Sequence, residues 1–437
     1  MQQQRFTVPF GRGEIDFVLP ATMRGASITA GSIPPFPDPM AAAERALGEP
    51  LGAPSLHDLA RGKQRVCIAV TDATRACPDH VLVPPMLHAL TDAGVPDDAI
   101  TILVAVGAHR ASTLAEKVEK LGADIVYRYR VVDHDGTDDA NLVVVLTGPG
   151  DIPFRVNRLA VEADLLLSTG VVEPHQYAGY SGGGKTVAIG CGDEATISYT
   201  HGPAMLDLPG TRLAQLAANP FQDAVRAVAR AAGLAFVANA VLDDAGRMVA
   251  VAYGAPEAVQ DHLASLAGPM FTVGVPRPVD IAVAGVGYPK DVNLYQASRA
   301  ASYLQFAPKP VVRQGGAIVI PAACPEGAGE GAGEQRFLAA MSGAGGPSAV
   351  IARARRDGIR PGEQRAYVMS LVLEDIDVIV SGIADPEIAR AVGFIPADTI
   401  EDALLVAARR TGESAEVLVV PHALQTLPIV QDGAKPT

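Results

Sequence analysis

Tryptophan is absent from this chain of 437 residues, and aromatic residues of all kinds make up only 5% of it. With a net charge of −13, the chain lacks the basic, ring-bearing face on which nucleic acids are bound. Charge is also scarce, at 19% of residues against 49% hydrophobic. That balance excludes a disordered chain and allows a well-buried core. No apolar run is long enough to span a bilayer. The opening residues Met1 to Phe6, with three consecutive glutamines, lack the apolar stretch of a secretory signal, so a cytoplasmic location without membrane attachment is expected. Only four cysteines occur, Cys67, Cys77, Cys191 and Cys324, and none forms a CxxC pair. They are expected to be reduced and mostly buried, and a structural zinc site is not expected. Histidine pairs spaced HxH or HxxxH are missing too. Any metal would therefore need much of its coordination from a cofactor. The acidic balance does not exclude an anionic small substrate, because the field in a cleft is set by nearby charges.

What is present is a glycine-dense loop. Glu173-Pro-His-Gln-Tyr-Ala-Gly-Tyr-Ser-Gly-Gly-Gly-Lys-Thr186 puts His175 and Lys185 on one segment, with four glycines in the six residues 179–184. Such density implies close backbone approach to a ligand more than a loose surface loop. Gly179 to Thr186 also fits the P-loop pattern GxxxxGK[ST]. A P-loop, however, needs a strand running straight into the glycines and a helix starting behind them. Here Pro174 and His175 intervene after the apolar run 164–168, and Gly190 and Gly192 make a poor helix start. A P-loop nucleotide-binding enzyme thus remains one alternative. A non-catalytic metabolite-binding module is another.

Length implies two domains. Strand-like runs at 66–70, 100–106, 143–146 and 165–168 alternate with helix-like segments at 82–93 and 114–121. A second series follows: strands at 280–284, 317–320, 377–380 and 416–420, and helices at 295–306, 349–356, 364–373 and 399–410. This alternation predicts an α/β protein with two mostly parallel sheets and an active-site cleft between two domains. The expected boundaries are 1–270 and 275–410, with Pro269–Pro278 as linker and 411–437 packing back on the first domain. The Gly/Ala/Glu run Glu326–Glu334 reads as a mobile loop, and the proline-rich stretch up to Pro54 has no clear place.

In such sheets ligands bind beyond the carboxyl ends of strands. The chemically capable residues fall there repeatedly: Asp72 and Arg75 after the first strand, His109 after the second, His175 and Lys185 after the strand at 165–168, and Gln296 and Arg299 beyond 280–284. Histidine shuttles protons near neutral pH, and His109 and His175 occupy equivalent positions, as an opposed acid/base pair would. Arg75 offers a fork for an oxyanion, with Asp72 able to orient it. Gln296 and Arg299, three residues apart, share a helix face and can bind a carboxylate. His201 and His134 read first as structural loop histidines, and Arg75 with Asp72 or Arg299 alone could equally be surface groups.

Taken together, Asp72-x-Thr-Arg75, Gly107-x-His109-Arg110, the His175-to-Lys185 loop, Tyr199-x-His201 and Tyr295-Gln296-x-x-Arg299 resemble the nickel-pincer lactate racemases over nearly the whole chain. The resemblance implies a racemase or epimerase of a 2-hydroxy acid, served by cofactor-maturation enzymes. Lys185 would carry a pyridinium-3-thioamide-5-thiocarboxylic acid mononucleotide, the nickel-pincer nucleotide, with Asp72 beside it on the cofactor side. His201 would ligate Ni(II), whose planar coordination suits such donors. His109 and His175 would exchange the hydroxyl proton, Arg75 would stabilise oxyanion character, and Tyr295, Gln296 and Arg299 would hold the substrate. The family has lysine where Arg299 stands, and some lactate-active relatives carry a tryptophan that this chain lacks. Both departures bear on which 2-hydroxy acid is used.

Overall fold

A computed structural model describes residues 3–343 and 345–431. The chain divides into two compact units. One comprises 32–201 and 205–268; the other comprises 1–31, 202–204 and 269–437. Residues 432–437, part of the expected terminal segment, lie outside the described residues.

The first unit is built on a six-stranded sheet in the order Met248–Gly254, Leu234–Leu242, Leu165–Val171, Val66–Thr71, Ile100–Ala105, Arg130–Asp133. All neighbours are parallel except the edge strand Met248–Gly254. Chain order runs outward in one direction from Val66–Thr71 and in the other from Leu165–Val171. The sheet therefore has a topological switch point between those two strands, where α/β sheets place ligands. Val66–Thr71 is buried along its whole length, as a central parallel strand should be. Helix Asp79–Asp92 contributes Leu82, Val83, Met86 and Leu90 to the core beside it. Helix Leu114–Leu121 starts at a capping box made by Thr113 and Glu116.

One expected strand is placed differently. Leu142–Thr147 does not join the parallel sheet; it forms an antiparallel hairpin with Pro153–Asn157. The short connection, residues 148–152, explains this, since parallel pairing would need a long crossover. The strands Arg130–Asp133, Leu234–Leu242 and Met248–Gly254 are additions to the sequence reading.

The second unit has an all-parallel six-stranded sheet: Ile395–Ala397, Asp377–Ser381, Val312–Pro321, Val279–Ala284, Glu416–Val420, Arg24–Ser27. Its two faces are covered by separate apolar clusters, one around Leu304, Phe337 and Met369, the other around Phe17, Leu404 and Val419. Glu416–Val420 lies between Val279–Ala284 and Arg24–Ser27. The described part of the terminal segment and the N-terminal hairpin, Arg5–Phe10 against Gly13–Val18, thus fall in the second unit, whereas the expected boundaries put both with the first. Ladder pairing over long sequence separation decides this, and local pattern carries no record of it. Likewise Thr272–Val275, inside the expected linker, is a strand paired with Leu427–Val430. The glycine-rich run near residue 330 is a hydrogen-bonded turn leading into helix Ala332–Ser342, with Gly331 N–H donating to Glu334. No helix among the described residues is long and apolar enough to cross a membrane. All four cysteines are free and buried.

Candidate active site

At the switch point of the first unit, two loops leave neighbouring strands. Residues 72–78 follow Val66–Thr71, and the glycine loop follows Leu165–Val171. Asp72 is buried, and its Oδ2 accepts from His109 Nδ1 at 2.7 Å. Its Oδ1 accepts from the Thr74 hydroxyl at 2.8 Å. Burial raises the Asp72 pKa, but the His109 and Thr74 hydrogen bonds and the charges of His109 and Arg75 outweigh it, leaving the carboxyl below its usual value. The carboxylate therefore orients His109. Sequence reasoning paired it with Arg75, whose guanidinium is exposed and acts on Asp72 only through its charge. With Nδ1 donating its hydrogen bond to Asp72, Nε2 is the ring nitrogen left for other work, and in a neutral ring it carries the lone pair that a general base needs. The loop bearing His109 is tied to the glycine segment by Gly107 N–H donating to the Gly190 carbonyl at 2.9 Å. Arg110 serves the surface, pairing with Glu116 at 2.6 Å.

The glycine loop is a clamped structure. A two-residue hairpin, Pro174–His175 against Gly179–Tyr180, separates the strand from the glycines, so strand and glycines are not contiguous as in a P-loop. Behind Lys185 comes a single π-helical turn, Thr186–Gly190, then helix Glu194–Thr200. Sequence reasoning expected no helical start there. Gly183 N–H donates to buried Asn239 Oδ1 at 2.7 Å. Buried Gln260 donates to the Ser181 carbonyl at 3.1 Å and accepts from Gln222 at 2.8 Å. Gly179 has φ +76°, and a Cβ there would come within 2.0 Å of the Gln215 carbonyl oxygen. Only glycine meets both conditions.

Lys185 is half-buried, and its surroundings are those of the protein interior. Burial, with Arg75 nearby and Glu173 only partly compensating, brings its pKa down to about 7. A large share of the amine is then neutral and nucleophilic near neutral pH. His201 is brought down to about 4 by burial and by the Lys185 charge, with Arg75 adding to it, against a raising contribution from the Ile197 carbonyl. Its Nδ1 donates to that carbonyl at 3.0 Å, which leaves a neutral ring with its lone pair on Nε2. Rings surround it: Tyr177 at 5.7 Å and Phe221 at 5.1 Å, both edge-on. His175 packs on the same two rings, at 5.9 Å from Tyr177 and 6.0 Å from Phe221. Its Nδ1 accepts the backbone N–H groups of Tyr177 at 3.3 Å and Ala178 at 3.1 Å. The neutral His175 ring thus carries its proton on Nε2, the opposite tautomer to His109.

Asp72, His109, Arg75, Lys185, His175 and His201 are accordingly held on one unit. Tyr295, Gln296 and Arg299 lie on the other. Leu294–Ala297 and Arg299–Gln305 are successive helices joined at Ser298, which itself has helical dihedrals. Arg299 donates to the Tyr303 hydroxyl at 2.9 Å. Gln296 Oε1 is a buried polar atom with no hydrogen-bond partner among the described residues. Tyr295 packs edge-on against Phe337. His134 has a supporting place: Nε2 donates to the Gly192 carbonyl at 2.9 Å, while Nδ1 accepts from Asn157 at 3.1 Å. Sequence reasoning missed Phe221, Asn239 and Gln260. Their signals were weak, an Asn219-Pro220 helix start before Phe221 and isolated amides in apolar runs. Among the described residues no three His, Cys, Asp or Glu side chains are grouped to hold a metal ion.

Two family patterns match the chain, "Lactate racemase N-terminal domain" over residues 10–213 and "Lactate racemase C-terminal domain" over 276–427. The lactate racemase of Lactiplantibacillus plantarum is 33% identical over 386 residues, covering 87% of this chain and 89% of the relative. That of Thermoanaerobacterium thermosaccharolyticum is 30% identical over 424 residues, covering 96% and 98%. The structure of the lactate racemase apoprotein from the latter organism aligns at a TM-score of 0.85, with 28% identity, over 98% of this chain and all (100%) of its own. A Thermotoga maritima protein at TM-score 0.63 and 18% identity, covering 92% of this chain and 100% of its own, shares the fold. The chain belongs to the lactate racemase family and is an isomerase.

Proposed function

We propose that the protein racemises or epimerises a small 2-hydroxy acid of the lactate type, using a nickel-pincer nucleotide joined to Lys185. The observation that carries this reading is the pair formed by a desolvated lysine and a neutral histidine. Lys185, with a pKa of about 7, fits covalent attachment through its amine. His201 fits a single protein ligand, since its Nε2 lone pair is retained and its ring is fixed by the Ile197 carbonyl. The absence of a three-residue metal cluster among the described residues fits a metal held mainly by the cofactor. When bound, the cofactor supplies a reversible acceptor for the α-hydrogen as hydride.

The remaining work falls to the chain. His109, oriented by Asp72, takes the substrate hydroxyl proton at Nε2 and returns it. His175 would lie on the opposite side, giving its Nε2 proton to the oxygen as the other enantiomer forms and taking the hydroxyl proton back at Nε2 in the reverse direction; a proton exchanged with solvent at each histidine restores the starting pair. Arg75 stabilises oxyanion character as the hydroxyl is deprotonated. Gln296 and Arg299 bind the carboxylate, with Tyr295 beside them. Tyr177 and Phe221 exclude water from the His201 side. The amide and the guanidinium fix the acid, so that the α-carbon, rather than the whole molecule, turns over.

A panel of single-enantiomer 2-hydroxy acids, read by chiral chromatography with protein co-expressed with the maturation enzymes, tests this. Interconversion of at least one acid, lost in Lys185→Ala along with a covalent mass addition, is expected. An adduct that persists on Lys185→Ala, or full cofactor loading with no turnover of any acid, would contradict it.

A further inference from the structure

Beneath the Arg75 loop lies a buried polar cluster that the mechanism above does not use. Asp79 is fully buried at the start of helix Asp79–Asp92. It accepts from the Thr71 hydroxyl at 3.1 Å, from the Thr169 hydroxyl and, at 3.4 Å, from the Cys77 thiol. Thr71 ends one of the two strands that flank the switch point and Thr169 lies two residues before the end of the other, so this one carboxylate spans it. Lys120, from the last turn of helix Leu114–Leu121, reaches the same carboxylate at 3.1 Å. Its ammonium also donates to the Arg75 carbonyl at 2.7 Å and the Cys77 carbonyl at 2.8 Å. Two of the ammonium protons thus go to main-chain carbonyls, and the charge itself is met by Asp79. On the far side, the Thr186 hydroxyl donates to the Thr169 carbonyl at 2.7 Å, immediately after Lys185.

An ion pair in the interior is a poor source of stability, because desolvation offsets much of the attraction. This one does something that an apolar filling could not. It fixes the main chain at Arg75 through donors, and it references that main chain to the strand that leads to Lys185. We propose that Lys120, neutralised by Asp79, is a positioning residue that sets where Arg75 stands relative to Lys185. The inference rests on the reading of Arg75 given above.

The test uses the cofactor-loaded enzyme, with the loaded fraction measured by intact mass and every rate normalised to it. Lys120→Met is expected to lower kcat about 10- to 100-fold with KM within about threefold, the scale of loss that small misplacement produces. Since this variant leaves Asp79 charged and buried, its Tm falls. The double variant Asp79→Asn/Lys120→Met removes both charges. It should regain Tm yet keep the low kcat, because the Arg75 and Cys77 carbonyls still lack their donor. In an Arg75→Ala background, Lys120→Met should cost no further kcat. A kcat loss that disappears when Tm is regained would overturn the inference, as would a loss of equal size in both backgrounds. If Arg75→Ala itself left kcat unchanged, the catalytic reading of Arg75 would fail, and the inference with it.

Discussion

Lys185 and His201 share an unusual property at the level of single residues: burial disfavours the charged form of both. Lys185 has a folded pKa of about 7 against an ordinary value of 10.5. Between those values the unfolded chain binds more protons than the folded one, so stability rises with pH. Below about 7 both states are protonated and the penalty is constant. Cofactor-free protein should therefore gain stability from pH 7 towards 10.5, and Lys185→Met should lose that gain. Denaturant midpoints at several pH values measure this; an unchanged slope in the variant would place the titrating group elsewhere. His201, at about 4 against 6.5, gives the same sign in the window between those values. Asp72→Asn should lower turnover in both directions roughly a hundredfold, the scale of a positioned proton transfer. Its amide cannot fix the His109 tautomer as the carboxylate does. Steady-state rates from each enantiomer check it, and a near-native rate would remove Asp72 from the site.

Elements were legible where periodicity was strong. Leu114–Leu121 and Glu416–Val420 appear at the expected residues, and the candidate site residues of the first unit sit beyond the carboxyl ends of its strands, where the α/β rule looks for ligands. Residues that touch only in three dimensions were not legible. Nothing in the local sequence says that Asp72 turns to His109, 37 positions away, or that Asn239 accepts from Gly183, 56 positions away. The hairpin at Leu142–Thr147 was misplaced because four apolar residues in a row look alike in a central strand and in a half-buried one. The amides under the glycine loop allow a direct test. Asn239→Ala leaves the Gly183 N–H buried without its partner, which should cost about 1–3 kcal/mol. It should also lower the fraction of Lys185 that carries the adduct, because the loop loses its clamp. Chemical denaturation and intact mass read the two effects. Native stability together with native loading would show that the clamp has no such role.

The whole molecule is a case where strand order, more than strand existence, eluded the sequence. The second sheet is extended past Val279–Ala284 by residues 416–420 and then 24–27, from opposite ends of the chain; the periodicity puts 416–420 in the second series, but the expected domain boundaries place it with the first unit, and nothing in the pattern points to 24–27. Ending the chain after Thr411 should strip both Val279–Ala284 and Arg24–Ser27 of their shared neighbour. Such a truncation should expose unpaired edges and abolish the cooperative unfolding of that unit, as followed by circular dichroism and limited proteolysis. An unchanged transition would mean that the sheet tolerates the gap.

At this same scale stands the central claim, that the histidines move only the hydroxyl proton while the α-hydrogen leaves and returns to its own carbon. The α-hydrogen of a 2-hydroxy carboxylate is weakly acidic, and the Asp72 contact at His109 Nδ1 leaves Nε2 for the hydroxyl in the proposed mechanism. The decisive measurement is racemisation of an unlabelled 2-hydroxy acid in heavy water, with deuterium at the α-carbon quantified by mass spectrometry. The account predicts that protium remains at that carbon while both enantiomers appear. Deuterium entering there in step with racemisation would contradict it.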